Sequence, residues 1–240
     1  MQAGDITPDG KTVSKVEKIV GVRKMTIANI EQSLKSAPQV SGFTHADVSG
    51  VVKLKDKLAE AGHKVSVTEI FVKLIAMALE KHPELNCYRV ENAIVQYSSI
   101  NMGVAVGTKT GMLIVPVIRN CESKSLLEIS KEMKEILVKV RENKLSSDMM
   151  MGGTFTVSSI GMFGADNADP ILNVPQAGII ALGRIQKQAV VDENDNIVIR
   201  PKAYLTITVD HAAVNGAPAS LFMQTVCEYS RTANEIIPIA

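Results

Sequence analysis

From Val20 to the C-terminus, segments with apolar residues at helical spacing alternate with β-branched, strand-like runs, and no low-complexity or linker-like stretch breaks the series. This alternation is the strongest constraint on the fold. Each amphipathic helix needs an apolar face to bury its stripe against, so the chain reads as α/β. Helices are predicted over 22–36, 49–61, 68–82 and 125–143, with Pro38, Gly62 and Pro83 closing the first three. In the fourth, Leu126, Ile129, Met133, Ile136, Leu137 and Val140 share one face and charges occupy the other. Strands are predicted over 42–48, 93–99, 100–107, 113–118, 153–161, 177–185, 188–191 and 196–210, with 192–195 as a hairpin turn. A last helix starts near 215–217. Residues 1–18 are polar, with Gly and Pro, and read as a flexible tail or linker before one domain over 19–240.

Composition removes several function classes. Lys and Arg number 26 against 25 Asp and Glu, without the basic surplus that phosphate neutralisation calls for, so no nucleic-acid partner is expected. No uncharged apolar run approaches the ~20 residues of a membrane helix, and the N-terminus carries no signal-like apolar core. A cytoplasmic protein without a membrane partner is expected. Cys87, Cys121 and Cys227 lie far apart with no CxxC pair, which suits a reducing compartment. The four histidines, His45, His63, His82 and His211, are scattered without HExxH spacing, so no metal site is expected. The glycines of 103–111 do not form a phosphate-binding loop, and no GxGxxG or GxSxG is present.

One segment stands apart. In TVDHAAVNGAPASLF (208–222) an apolar β-run stops abruptly at Asp210–His211, small residues and Asn215–Gly216 follow, and a helix begins. A histidine at a strand end sits where loops build sites, and an imidazole with pKa near ~6.5 is the side chain best suited to move protons at neutral pH. The same pattern is also what a surface histidine before a turn looks like, and residues alone do not separate the two readings.

The run DHAAVNG resembles the His-x-x-x-Asp/Asn-Gly signature of the dihydrolipoamide acyltransferases, the core components of 2-oxoacid dehydrogenase complexes, and of the related chloramphenicol acetyltransferases. The resemblance continues through VGVRKMTIANIEQSLKSAPQVSGFTHADVSGVVKLKDKL (20–58), SINMGVAVGTKTGMLIVPVIRN (99–120) and GGTFTVSSIGMFGADNADPILNVPQAGIIALGRI (152–185). It implies a chloramphenicol-acetyltransferase-like two-layer sandwich, with a mixed sheet and packed helices, and transfer of an acyl group between a dihydrolipoyl thiol and coenzyme A. His211 falls on the general-base position and Ser158 on the oxyanion-stabilising one; without the family, Ser159 is an equal candidate. Asn215 takes the motif's acidic position, where an amide orients but does not carry a proton. Arg23 matches an early arginine that pairs with that acid in chloramphenicol acetyltransferases and is the cofactor-binding candidate; a hydrogen bond to Asn215 and a solvated charge at the start of a helix are equal readings of it.

Two departures matter. Most family members read Asp-His-Arg, and here Ala212 replaces the arginine, removing a planar five-donor group. The lipoyl and subunit-binding modules that precede the core in full-length members have no counterpart in residues 1–18, so the acyl carrier is expected on another domain or chain. The resemblance further implies a homotrimer with its site between subunits, and trimers that join into a 24-mer or larger cage through C-terminal apolar residues, here Ile236, Ile237 and Ile239. It implies as partners a lipoyl-bearing domain, a 2-oxoacid decarboxylase and a dihydrolipoamide dehydrogenase. A free-standing coenzyme A-dependent acetyltransferase and a catalytically inert scaffold are the competing readings, the second prompted by Ala212 and Asn215.

Overall fold

The computed structural model describes residues 1–108 and 111–239, so Lys109 and Thr110, within the 107–111 glycine run, and the terminal Ala240 lie outside the described residues. Helix α1 (Gly21–Ser36) leads into strand β1 (Gln39–Asp47), followed by α2 (Ser49–Glu60) and α3 (Val67–Lys81). Strands β2 (Cys87–Val90), β3 (Ala93–Gln96), β4 (Met102–Gly107), β5 (Leu113–Ile114) and β6 (Val117–Ile118) come next. Helix α4 (Leu126–Arg141), strands β7 (Phe155–Ser159), β8 (Gly178–Leu182), β9 (Gln186–Val191) and β10 (Ile197–Asp210), and helix α5 (Gly216–Ile236) complete the chain.

Among the described residues, eight strands form one mixed sheet in the order β1-β10-β8-β7-β4-β5, with β6 beside β4 and β9 beside β10. The pairs β4–β7 and β7–β8 are parallel and the others antiparallel. Strand β10 is the spine: its outer part pairs with β9, and its inner part lies between β1 and β8. The predicted α/β class and mixed sheet with packed helices are therefore what forms.

Strand alternation divides the sheet into two faces. Val104, Phe155, Val157, Ile180, Leu205, Ile207 and Val209 point into the main core with α2, α3, α4 and α5. Helix α3 is the most deeply set, with Ile70, Phe71, Leu74, Ile75, Ala78 and Leu79 all at most 1% exposed. It and α4 each start with a reciprocal capping box, Ser66 with Glu69 and Ser125 with Glu128, which satisfies otherwise unpaired N–H groups. The opposite sheet face carries Ser41, Thr156, Ser158, Thr206 and Thr208. The 160–177 loop lies over part of it: Thr156 donates to Gln176 Oε1 at 2.5 Å and the Thr206 hydroxyl bonds Asn167.

Several details differ from expectation, four of them informatively. Strand β1 begins at Gln39, three residues early, because its first residues pair with Thr208–Asp210. The 113–118 strand is split: Pro116 has no N–H for the ladder, and only its carbonyl is used, by Val104 N–H at 2.9 Å. The 93–99 strand stops at Gln96 and pairs with the unpredicted β2 in a separate two-stranded sheet. Beyond it, Asn86 donates to the carbonyls of Tyr97 and Ser99 and holds that segment out of the ladder. Within the expected tail, residues 4–13 turn back on themselves through an Ile6–Thr12 bridge.

Candidate active site

Strand β10 ends at Asp210 because the chain there turns tightly on the aspartate itself. Its carbonyl accepts the N–H groups of Ala213 and Val214, both at 2.9 Å, and its Oδ1 accepts the Ala212 N–H at 3.0 Å. This Asx-type turn lifts His211 out of the sheet. The His211 N–H donates to Pro38 O at 2.9 Å, fixing the residue against the α1–β1 connection. The imidazole is exposed and makes no hydrogen bond among the described residues. Asn215 is the residue before α5, in extended conformation, and its side chain does not cap the helix. His211 and Asn215 therefore flank one turn with both side chains uncommitted.

Asp210 is only 7% exposed, so its carboxylate needs partners inside the protein. Arg89 of β2 supplies one, with Nε 3.3 Å from Oδ2, and the same guanidinium donates from Nη2 to Ser36 O at 2.7 Å. Sequence reading missed Arg89. The pair is 121 positions apart, and no local pattern signals it.

Ser158 lies elsewhere. It faces Ala181 on β8, which faces Thr206 on β10. His211 lies five residues beyond Thr206, toward the opposite end of the sheet from the C-terminus of β7. At ~3.3 Å per residue and ~4.8 Å per strand, the two residues are on the order of 19 Å apart within the chain. The Ser158 hydroxyl is half-buried and likewise has no hydrogen-bond partner among the described residues.

Arg23 does not make the hydrogen bond to Asn215. It pairs with Glu17 at 2.7 Å and lines a shallow cavity with Thr26, Ile27 and the 111–113 segment. That places it beside β5, at the far edge of the sheet from β1. Lys15 first and Arg23 second hold the Glu17 carboxyl below its ordinary range.

His82 and His45 sit in structural contacts. His82 Nε2 bonds Thr225 Oγ1 at 2.8 Å, and its ring meets Phe222 edge-on. His45 stacks on Tyr204 with ring centroids 4.4 Å apart, and burial first, then the Lys202 charge, lowers its pKa. All three thiols are free and are pushed up by burial, Cys87 to about 11 and Cys121 to about 12, which makes them poor nucleophiles. Among the described residues no cluster of His, Cys, Asp or Glu is arranged to hold a metal ion.

The fold and this turn define an α/β chain that presents an uncommitted imidazole at a sheet end and an uncommitted hydroxyl on a distant strand. The chain matches the family model of the 2-oxoacid dehydrogenases acyltransferase catalytic domain over residues 11–237, and it belongs to that family. It is 32% identical to the dihydrolipoyllysine-residue acetyltransferase component of the acetoin cleaving system of Bacillus subtilis, over 88% of this chain and 54% of that protein. It spans about half the length of the curated relatives it matches. A structure solved to define the role of a serine, a histidine and an asparagine in the catalytic mechanism of Azotobacter vinelandii dihydrolipoamide acetyltransferase superposes with a TM-score of 0.83 at 29% identity, covering 92% of this chain and 93% of that one. The cubic core of a pyruvate dehydrogenase multienzyme complex does so with a TM-score of 0.82 at 31% identity, again covering 92% and 93%. Chloramphenicol acetyltransferase shares the fold alone, at 15% identity and a TM-score of 0.52, covering 89% of this chain and 99% of that one.

Proposed function

We propose that this chain transfers an acyl group between a dihydrolipoyl thiol and coenzyme A, as part of the core of a 2-oxoacid dehydrogenase complex. His211 is the general base, Ser158 the oxyanion donor and Asn215 an orienting amide. The observation that carries this reading is the separation of His211 from Ser158, each with its side chain uncommitted, within a family that performs acyl transfer. Neither group alone performs thioester exchange. A second copy that brings its Ser158 to the first copy's His211 supplies both, and the homotrimer that the family resemblance implies has its sites between subunits in this way.

The donor set fits this chemistry. A thiol near pKa ~8.5 is mostly protonated at neutral pH and needs a base to become a nucleophile. His211 takes the thiol proton as sulfur attacks the thioester carbonyl. Ser158 donates a hydrogen bond to the carbonyl oxygen as it gains charge. When the C–S bond to the departing thiol breaks, His211 returns the proton to that sulfur, so protons and electron pairs balance and no covalent enzyme intermediate is needed. Holding two thiols in line supplies much of the rate. Coenzyme A and the lipoyl arm are substrates here, and the arm comes from outside the catalytic fold.

Exposed apolar residues support packing between copies. Phe43 is 67% exposed, Phe163 74% and Leu34 58%, large apolar side chains that a neighbouring copy would cover. The wider assembly follows from the relatives. The trimers join into a larger cage and work with a lipoyl-bearing domain, a 2-oxoacid decarboxylase and a dihydrolipoamide dehydrogenase, but the expected docking set of Ile236, Ile237 and Ile239 does not hold: Ile237 is 4% exposed in this subunit's own core, and Ile236 and Ile239 pack against that core. The catalytic unit is residues 19–240, with 1–18 as its connector. No helix among the described residues is long and apolar enough to cross a membrane, and three unpaired cysteines suit a reducing cytoplasm.

The test is acyl transfer from acetyl-, succinyl- and branched-chain acyl-coenzyme A to free dihydrolipoamide. Wild type is expected to transfer from one donor preferentially, and His211→Ala to lose about 10²- to 10⁴-fold in kcat. No transfer from any donor, or an unimpaired His211→Ala, overturns the reading.

A further inference from the structure

The Asp210 turn presents His211, and a family-typical arginine at 212 is missing. We propose that Arg89 is the positioning residue of this site: its guanidinium bridges the α1 C-terminus and the Asp210 carboxylate and so holds the turn that carries His211. The proposal rests on the reading of His211 as the base.

The geometry is specific. The segment around His211 is held on two sides. Its own N–H is tied to Pro38 O, and its neighbours Asp210 and Ala212 are tied to each other through Asp210 Oδ1. Arg89 reaches both sides at once, with Nε on Asp210 Oδ2 and Nη2 on Ser36 O, two residues before Pro38. Ser36 is the last residue of α1, whose terminal carbonyls have no intrahelical donor, so a cation there is doubly favoured. Without Arg89 the buried carboxylate keeps only the Ala212 N–H and the side-chain link to α1 is gone. A buried charge with a missing partner rearranges or draws in water, and either moves the turn. Ala212 carries no side-chain donor of its own, so among the described residues the side-chain donor to the Asp210 carboxylate is Arg89 of the β2–β3 hairpin.

A lysine at 89 keeps the charge but lacks the two-pronged planar fork, so it satisfies Asp210 or Ser36 and not both. This separates positioning by geometry from simple charge neutralisation. With wild type, Arg89→Ala, Arg89→Lys and His211→Gln chains, kcat and KM for both substrates are measured alongside hydrogen exchange at the His211 and Ala212 amides. Arg89→Ala is expected to lower kcat by between about tenfold and about a hundredfold, the cost of a base displaced by roughly an ångström. KM for both substrates stays within about twofold, and the two amides exchange faster. Arg89→Lys is expected to lose most of the same kcat. Wild-type kcat in Arg89→Ala overturns the proposal. If Arg89→Ala does not fold, wild-type kcat in Arg89→Lys overturns it. An impaired His211→Gln beside unimpaired Arg89 variants removes only the role of Arg89, whereas an unimpaired His211→Gln removes the reading of the site itself and this proposal with it.

Discussion

A site shared between copies makes a quantitative prediction about mixtures of dead chains. Ser158 and His211 stand on the order of 19 Å apart in one chain, as their strand register and spacing require. A base must come within about 3 Å of the thiol proton, and an oxyanion donor within about 3 Å of the same thioester's oxygen, so one chain cannot serve both. His211→Ala alone and Ser158→Ala alone are each expected to leave at most about one hundredth of the activity. When equal amounts are unfolded together and refolded into random trimers, a site is intact only where the His211 donor is the Ser158 variant and the Ser158 donor is the His211 variant. With each condition met half the time, about a quarter of the sites are whole in a closed cyclic trimer. The assay is acyl transfer to dihydrolipoamide before and after mixing, with two affinity tags confirming that subunits have exchanged. Recovery to about 25% of wild type is expected, more than about twentyfold above either parent. Exchange without recovery refutes the shared site, because a site built within one chain cannot be repaired by its neighbour.

Two further outcomes concern the fold. A Cβ at Gly178 would lie 2.2 Å from Phe155 Cε2 across the β7–β8 pair, so Gly178→Ala is expected to destabilise the chain by about 1–3 kcal/mol, read as a lower urea midpoint at unchanged slope. Cys87 and Cys121 are held neutral in the folded chain, with pKa values of about 11 and about 12 against a reference of 9.0. The unfolded chain ionises first, so this stability contribution is complete below pH 9 and is lost as pH rises from there through 11 to 12. Each thiol then adds a slope of about 1.4 kcal/mol per pH unit, and Cys121→Ala is expected to flatten the unfolding free energy over that range.

How much could be read from the chain depends on how local each feature is. The helices were legible because apolar spacing and capping residues act over one or two turns, and α3 and α4 start and end within two residues of expectation. The strand interrupted at Pro116 was misread because an apolar run looks the same whether or not one member lacks a donor for a particular neighbour. Strand β2 was missed because four residues carry too little periodicity. The catalytic candidates His211, Ser158 and Asn215 came from a motif resemblance, which reports kinds of residue and not their distances. Arg23 shows the cost: its position in the motif suggested a contact with Asn215, and in the chain it pairs with Glu17 beside β5.

Sequence information reached the α/β class and the histidine at the end of a long strand, because period-2 and period-3.6 patterns and a strand-ending Asp-His are written in contiguous residues. The folded structure alone put Ser158 and His211 at opposite ends of the sheet, and alone joined Arg89 to Asp210 across 121 positions. Both depend on register and packing between segments distant in the chain. Register follows from which faces the whole core can bury, a property of all the strands together and of none by itself.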